Sequence, residues 1–397
     1  MPRILEQDHG PEASLPHFLT SLIGRERQLT TAAILLNRDD IQLLTLIGPG
    51  GVGKTRFAIQ LAADLFLNFT EGATFVSLES VTDPGLVLAV IAQAFELREA
   101  ESVSPLTILE RFLRYQHRLI VLDNFEQVIS ASSHLPALLA ACPHVKLLVT
   151  SRMHLHVSGE HIFSVTPLEL PSLGCPQNHA ALERSPAIQL FQDRACAAQP
   201  DFLLTPKNSP LVAEICRRLN GLPLAIELAA ARVNVLPLTA LLARMDSQLP
   251  LLIGGVRDHP ARLQTMRNTI AWSCDLLHID LQALFRRLAV FTSGLTLKAA
   301  EQVAGNDEGC SASLSSSLAV LEGITSLIEC IATGCMEMTS SLASRCWRRS
   351  VNSDWRGWRK AGRAMRCGDG TPSGAWSWRK QASPRGMVRR NDRRSRG

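Results

Sequence analysis

Residues 43–55 read LLTLIGPGGVGKT, and this stretch limits the folds open to the chain more than any other. An apolar run over 41–47 stops abruptly in a glycine-rich turn, 48–53, which leads into Lys54 and Thr55. An amphipathic pattern at Phe57, Ala58, Leu61, Ala62 and Leu65 follows. The order is strand, loop, helix, with G-x-x-x-x-G-K-[ST] at the junction. Glycines let consecutive N–H groups curl round a phosphate without side-chain clash, and they supply positive φ where it is needed. The helix that begins near Gly53 points its positive end at the same anion. Lys54 is placed to reach the terminal phosphates, and the Thr55 hydroxyl to ligate Mg²⁺. The phosphate-binding candidates are therefore Gly48, Pro49, Gly50, Gly51, Val52, Gly53, Lys54, Thr55 and Arg56. A connecting loop without a ligand is the plainer alternative.

Two further apolar runs bear on the same site. Residues 118–123, RLIVLD, form a continuous apolar run that ends in an acid, as a strand buried on both faces does. Ligands bind at the carboxyl ends of strands in open α/β sheets, and Asp123 stands at the distance from the glycine loop expected of a Walker-B aspartate. Its bland reading is a helix N-cap. Residues 145–150, VKLLVT, are followed at once by Ser151 and Arg152. An arginine there can meet a γ-phosphate, or it can be an ordinary loop arginine. Strands at 74–78 and 161–165, with helices at 83–97 and 106–115, complete a parallel α/β sheet. Before it lie an irregular lead-in, 1–18, and a turn at Gly24 that opens a helix carrying Leu29, Ala33 and Leu36.

After the prolines at 167 and 171 the texture becomes all-helical, with segments at 185–198, 209–219, 224–233 and 238–245. A helix pair at 263–277 and 281–290 and a short helix from 296 follow a glycine link at 254–255. The boundaries expected are a nucleotide-binding domain at 19–168, a helical subdomain at 169–253, a winged-helix-like but incomplete domain at 254–329 and a basic tail at 330–397.

The 397 residues are 46% hydrophobic, enough for more than one core. Ten cysteines without a CxxC pair read as free thiols in a reducing compartment. The N-terminus lacks the apolar stretch of a signal peptide, and 222–243 is broken by Glu227, Arg232 and Pro237. A cytoplasmic protein with no membrane partner is expected.

The motifs together resemble the STAND signal-transduction ATPases, in the NB-ARC-like branch found in bacterial LuxR-type and SARP-type transcriptional regulators. The matching stretches are LTSLIGRERQL (19–29), LLTLIGPGGVGKTRFA (43–58), RLIVLDNFEQV (118–128), VKLLVTSR (145–152) and EICRRLNGLPLAIELAAAR (214–232), followed by TIAWSCDLL and LFRRLAVFTSGLTLKAAEQV. The resemblance runs from about residue 16 to 329. It implies an ATP/ADP- and Mg²⁺-dependent switch. Arg152 would be the nucleotide-state sensor. Pro223 would pack against the adenine, and the turn holding Ile23 and Arg25 would approach the base from the other side. In this family a closed ADP state opens on exchange for ATP and usually self-associates. Many relatives carry a second acid just after the Walker-B aspartate, where this chain has Asn124; Glu126 is then the candidate for activating water, and hydrolysis is expected to be slow. An ordinary P-loop ATPase or small-molecule kinase is the alternative function, without a substrate-specific motif to support it.

The last segment departs from all of this. Residues 341–397 hold 16 Lys and Arg against 3 Asp and Glu, a balance of +13 within a whole-chain charge of +5, so residues 1–340 carry −8. Five of the six tryptophans also lie there. The family resemblance implies a segment like RFxMLETIREyaLERL at this point, whereas residues 343–360 read ASRCWRRSVNSDWRGWRK. Codons can be chosen for those residues that, read one nucleotide earlier, spell RFAMLETIREFGLERLEE throughout. The chain beyond about Cys330 thus reads as out of frame, and the tail is expected to lack regular structure. The rival is a basic, tryptophan-bearing nucleic-acid-binding tail. Direct DNA binding is not expected of this chain.

Overall fold

In the computed structural model the residues described are 13–97, 103–171, 179–245 and 279–288, with isolated helical positions at 300, 302–303, 321, 323–324 and 327 and two short strands near the C-terminus. The chain divides into Met1–Ser344 and Arg345–Gly397.

The first unit is built on a six-stranded parallel sheet. In chain order its elements are β1 (Ala13–Ser14), α1 (Glu26–Leu36), β2 (Leu43–Ile47), α2 (Lys54–Leu65), β3 (Ala73–Ser77), α3 (Val87–Ala94), α4 (Pro105–Leu113), β4 (Leu119–Asp123), α5 (Leu135–Ala141), β5 (Lys146–Ser151) and β6 (Glu160–Ser164). The spatial order is β1-β3-β4-β5-β2-β6. The strand after the glycine turn's own strand is therefore not its neighbour: β5 lies between β2 and β4. That insertion sets the site, because β5 brings the end of 145–152 between the turn and Asp123.

Strand alternation explains why these apolar runs are continuous. Leu44 and Leu46 of β2, Leu119 and Val121 of β4, and Leu148 of β5 face one cluster, with α1 and α2. Leu43, Ile120, Leu122, Leu147 and Val149 face the other, with α3, α4 and α5. Both faces are covered, so most positions carry an apolar side chain, each worth about 1.5–3 kcal/mol when fully buried. β6 lies at an edge and is only half-buried, with Ile162 exposed. Among the buried polar residues of β5, with Thr150 and Ser151, is Lys146. Its buried ammonium donates to the carbonyls of Leu36 (2.7 Å) and Arg38 (2.6 Å), which closes the otherwise unsatisfied end of α1.

A helical segment follows: α6 (His179–Glu183), α7 (Pro186–Ala198), α8 (Ser209–Arg218), α9 (Pro223–Ala230) and α10 (Leu238–Met245). Its buried residues Ile188, Phe191, Val212, Ile215, Ile226 and Leu228 join the cluster formed by α1 and α2, so the helices pack directly on one face of the sheet domain. Farther on, α11 (Ile279–Leu288) packs Leu284 with Ala300 and Leu327. The expected helix at 263–277 lies outside the described residues, as does most of 254–329.

Two sequence expectations need correction or completion. The lead-in 1–18 is not wholly irregular: Ala13 and Ser14 pair in parallel with Ala73 and Thr74, extending the sheet by one short strand. Backbone pairing with an open sheet edge requires no particular side-chain pattern. In the second unit, β7 (Arg363–Met365) and β8 (Trp378–Lys380) pair antiparallel, and the rest of that unit lies outside the described residues. Among the described residues no helix is long and apolar enough to cross a membrane.

Candidate functional site

The end of β2 runs into Gly48, whose position leaves no room for a side chain: a Cβ there would lie 2.6 Å from the Val165 carbonyl oxygen. Gly51 and Gly53 take φ of +82° and +95°, which turns the chain back on itself. Gly53 is the N-cap of α2 and contributes no side-chain cap, so the first-turn N–H groups of α2 are left for something else. Lys54 Nζ folds over the turn and donates to the carbonyls of Gly48 (2.8 Å) and Pro49 (3.3 Å). A turn of amides beneath an ammonium is an anion cradle.

Opposite it stands Asp123 at the end of β4. It is 3% exposed, and three donors fix its carboxylate. Thr55 Oγ1 donates to Oδ1 at 2.8 Å, Thr150 Oγ1 to the same oxygen at 2.6 Å, and Asn124 Nδ2 to Oδ2 at 2.8 Å. Thr150 also accepts from the Asn124 N–H (3.0 Å), holding Asn124 in the left-handed region at φ 63° that asparagine tolerates. Burial pushes the Asp123 carboxyl above the ordinary carboxylate range. The hydroxyls of Thr150 and Thr55 pull it back, Glu126 pushes it further up, and Lys54 pulls it down. Among the described residues Asp123 has no salt-bridge partner, and no three His, Cys, Asp or Glu side chains cluster to hold a metal by themselves. One carboxylate and one hydroxyl at hydrogen-bond distance fit a magnesium ion that takes its remaining ligands from water and phosphate.

Arg152, just past β5, donates from Nε to Glu126 Oε1 at 3.2 Å. Both line the same cleft as Lys54, Thr55 and Asp123. The cleft holds about 260 Å³, near the lower end of small-molecule sites at roughly 300 Å³. Pro49 to Arg56 form one wall, and Ile23, Arg25 and Pro223 also line it, so the separated sequence candidates converge. Gly48 does not line it; it lies beneath, against Val165.

Two of the cleft-lining arginines also have partners within the protein. Arg25 is 3% exposed, and its guanidinium donates to Thr166 O (2.5 Å), Val52 O (3.0 Å) and Gln28 Oε1 (2.6 Å); burial lowers its pKa to about 10. It ties the start of α1 to the glycine turn. Arg56 donates to Thr20 O (2.6 Å) and Oγ1 (2.8 Å), lies 5.1 Å from the centre of the Phe18 ring and faces Glu227 Oε1 at 3.8 Å. The apolar end of the cleft includes Phe18, Leu190 and Leu224, which sequence reasoning did not single out. Neither did it find Thr150, although a hydroxyl ending the run VKLLV was a usable signal. The N-terminus of α9 rests on the turn itself, with Leu224 N–H donating to Gly51 O at 3.1 Å.

No family model matches the chain. It is 41% identical over 268 residues to the Mycobacterium tuberculosis protein named "Putative HTH-type transcriptional regulator Rv0890c", a match covering 67% of this chain and 29% of that protein. With the M. tuberculosis uncharacterized protein Rv0894 it shares 36% identity over 309 residues, 78% of this chain and 74% of the relative. Regulatory protein AfsR of Streptomyces griseus is 26% identical over 269 residues, 64% of this chain and 24% of its own length. Among solved structures, a STAND protein with a tetratricopeptide repeat sensor from Pyrococcus horikoshii aligns at 14% identity and TM-score 0.30, covering 80% of this chain and 40% of its own. Cdc6p from Pyrobaculum aerophilum aligns at 15% and 0.32, covering 85% and 97%. The chain thus spans under a third of the regulator Rv0890c.

Proposed function

We propose that this chain, which belongs to the same family as the mycobacterial protein Rv0894, is the adenine-nucleotide-binding switch of a transcriptional regulator. One observation carries the reading. The amide-lined turn with Lys54 and the Thr55–Asp123 hydrogen bond lie in one cleft whose apolar wall comes from the helical segment together with residues 18–23. The polar end suits phosphates and a divalent cation; the apolar end, with Ile23, Leu190, Pro223 and Leu224, suits a base. The regulator-named relatives support the transcriptional role, and the resemblance of the sequence motifs to the NB-ARC-like STAND branch supports the switch.

In this reading Lys54 exchanges the Gly48 and Pro49 carbonyls for phosphate oxygens. Thr55 and Asp123 would hold Mg²⁺, which would supply charge neutralisation at the phosphates. Thr150 and Asn124 keep the Asp123 carboxylate aimed at the cation. Arg152 responds to the terminal phosphate. The Asn124 amide is spent on Asp123 and accepts no proton, so hydrolysis is slow and the nucleotide acts as a state marker. Base contact through the Pro223 end of α9 links nucleotide identity to the seating of the helical segment.

The test is direct. The 397-residue chain purified without added nucleotide, then denatured with acid, should release ADP in near-stoichiometric amount. Nucleotide-free protein that also fails to bind added ADP or ATP would overturn the reading.

A further inference from the structure

An ion pair at the phosphate end of the cleft is not required by the phosphate-binding geometry. Arg152 Nε meets Glu126 Oε1 at 3.2 Å, with side chains 12% and 2% exposed. The other carboxylate oxygen of Glu126, Oε2, is buried and makes no hydrogen bond. Glu126 stands in the 3-10 segment Phe125–His134, which is anchored in the core by Phe125 and Val128, both 0% exposed. A buried, half-satisfied carboxylate depends heavily on its one cationic partner. Glu126 also stands near enough to Asp123 for the two negative charges to oppose each other.

We propose that Glu126 is a brake on triphosphate recognition: it holds Arg152, and a terminal phosphate must win that guanidinium from it. The proposal rests on the nucleotide reading of the cleft and adds its regulation. A diphosphate leaves the Glu126–Arg152 pair in place and meets only the turn, Lys54 and the cation. A triphosphate offers further anionic oxygens to the arginine, and binding it costs the separation of a buried pair. The site is thereby biased toward the diphosphate, and the bias is set by a residue that touches neither nucleotide. Glu126 acts through Arg152 and is a positioning residue. A merely structural pair would alter stability and both nucleotides alike.

The discriminating quantity is the ratio of ATP to ADP affinity, measured by calorimetry on the full chain with Mg²⁺ and a non-hydrolysable ATP analogue. Glu126→Gln keeps the shape and removes the charge. It should raise that ratio about tenfold, within the range of typical coupling energies. Arg152→Ala should lower the ratio, and the double variant should match Arg152→Ala, since the brake has nothing left to hold. Glu126→Asp, whose shorter arm loosens the pair, should raise the ratio to a smaller extent and serves if the glutamine variant does not fold. An unchanged ratio in the folded Glu126 variants, or a double variant that keeps the increase, overturns the brake while leaving nucleotide binding intact. Wild-type protein that binds neither nucleotide refutes the site reading itself.

Discussion

Asp123 is expensive to keep ionised, and its surroundings say what the expense is for. Its pKa is raised by burial, so the folded chain holds the proton more tightly than the unfolded one, whose carboxyl titrates near 3.8. The corresponding stability is fully present below the unfolded value and is lost as pH rises through the folded one. As pH rises and the group gives up that proton, this contribution disappears. Asp123→Asn is expected to melt at or above wild type at neutral pH, with the advantage shrinking on acidification, and to lose the stabilisation that Mg²⁺ with nucleotide gives wild type. Thermal unfolding across pH, with and without Mg²⁺ and ADP, checks both parts; an asparagine variant that melts far below wild type at neutral pH contradicts them. Thr150→Val strips the carboxylate of its 2.6 Å donor and leaves the Asn124 N–H unpartnered. It should cost about 1–3 kcal/mol in chemical denaturation and weaken the Mg²⁺-dependent part of nucleotide binding selectively. Thr150 and Arg56 show why single residues were the least legible part of the site. Arg56 faces Glu227, 171 positions away, and nothing near either residue announces the other.

Whole elements were easier to read than their uses. The runs 118–123 and 145–150 were recognisable as buried strands because alternate residues feed two different clusters, and both clusters must be apolar. Their order in space was not legible, since periodicity carries no information on which strand enters between which. The glycine turn was legible through its spacing, but its second task was not. Gly51 is also where α9 lands: a Cβ there would meet Leu224 Cβ at 2.9 Å, in a backbone at φ +82°. Gly51→Ala should destabilise by about 1–2 kcal/mol from the left-handed backbone alone. It should also lift α9 from the turn, and so reduce nucleotide affinity more than an equally destabilising core change such as Ile59→Val in α2. Paired unfolding and binding titrations of the two variants separate these effects. Equal affinity loss would mean that the docking of α9 is incidental to the site.

At the scale of the molecule, one sheet domain and one helical segment enclose the cleft, while the arginine- and tryptophan-rich C-terminal unit follows different compositional rules. The frame-shift account of that unit makes its own prediction. The gene's nucleotide sequence over residues 343–360 should translate one nucleotide earlier into the segment RFAMLETIREFGLERLEE, and codons incompatible with that reading would dismiss it. The central claim, that the cleft cradles the phosphates of an adenine nucleotide, is tested most directly by calorimetric titration of ADP with Mg²⁺ into wild type and Lys54→Ala. The account predicts stoichiometric binding to wild type and a loss of about a hundredfold or more in the variant, consistent with removing a buried charge-assisted contact to phosphate. Equal affinity in both, or no binding to a folded wild type, would contradict it.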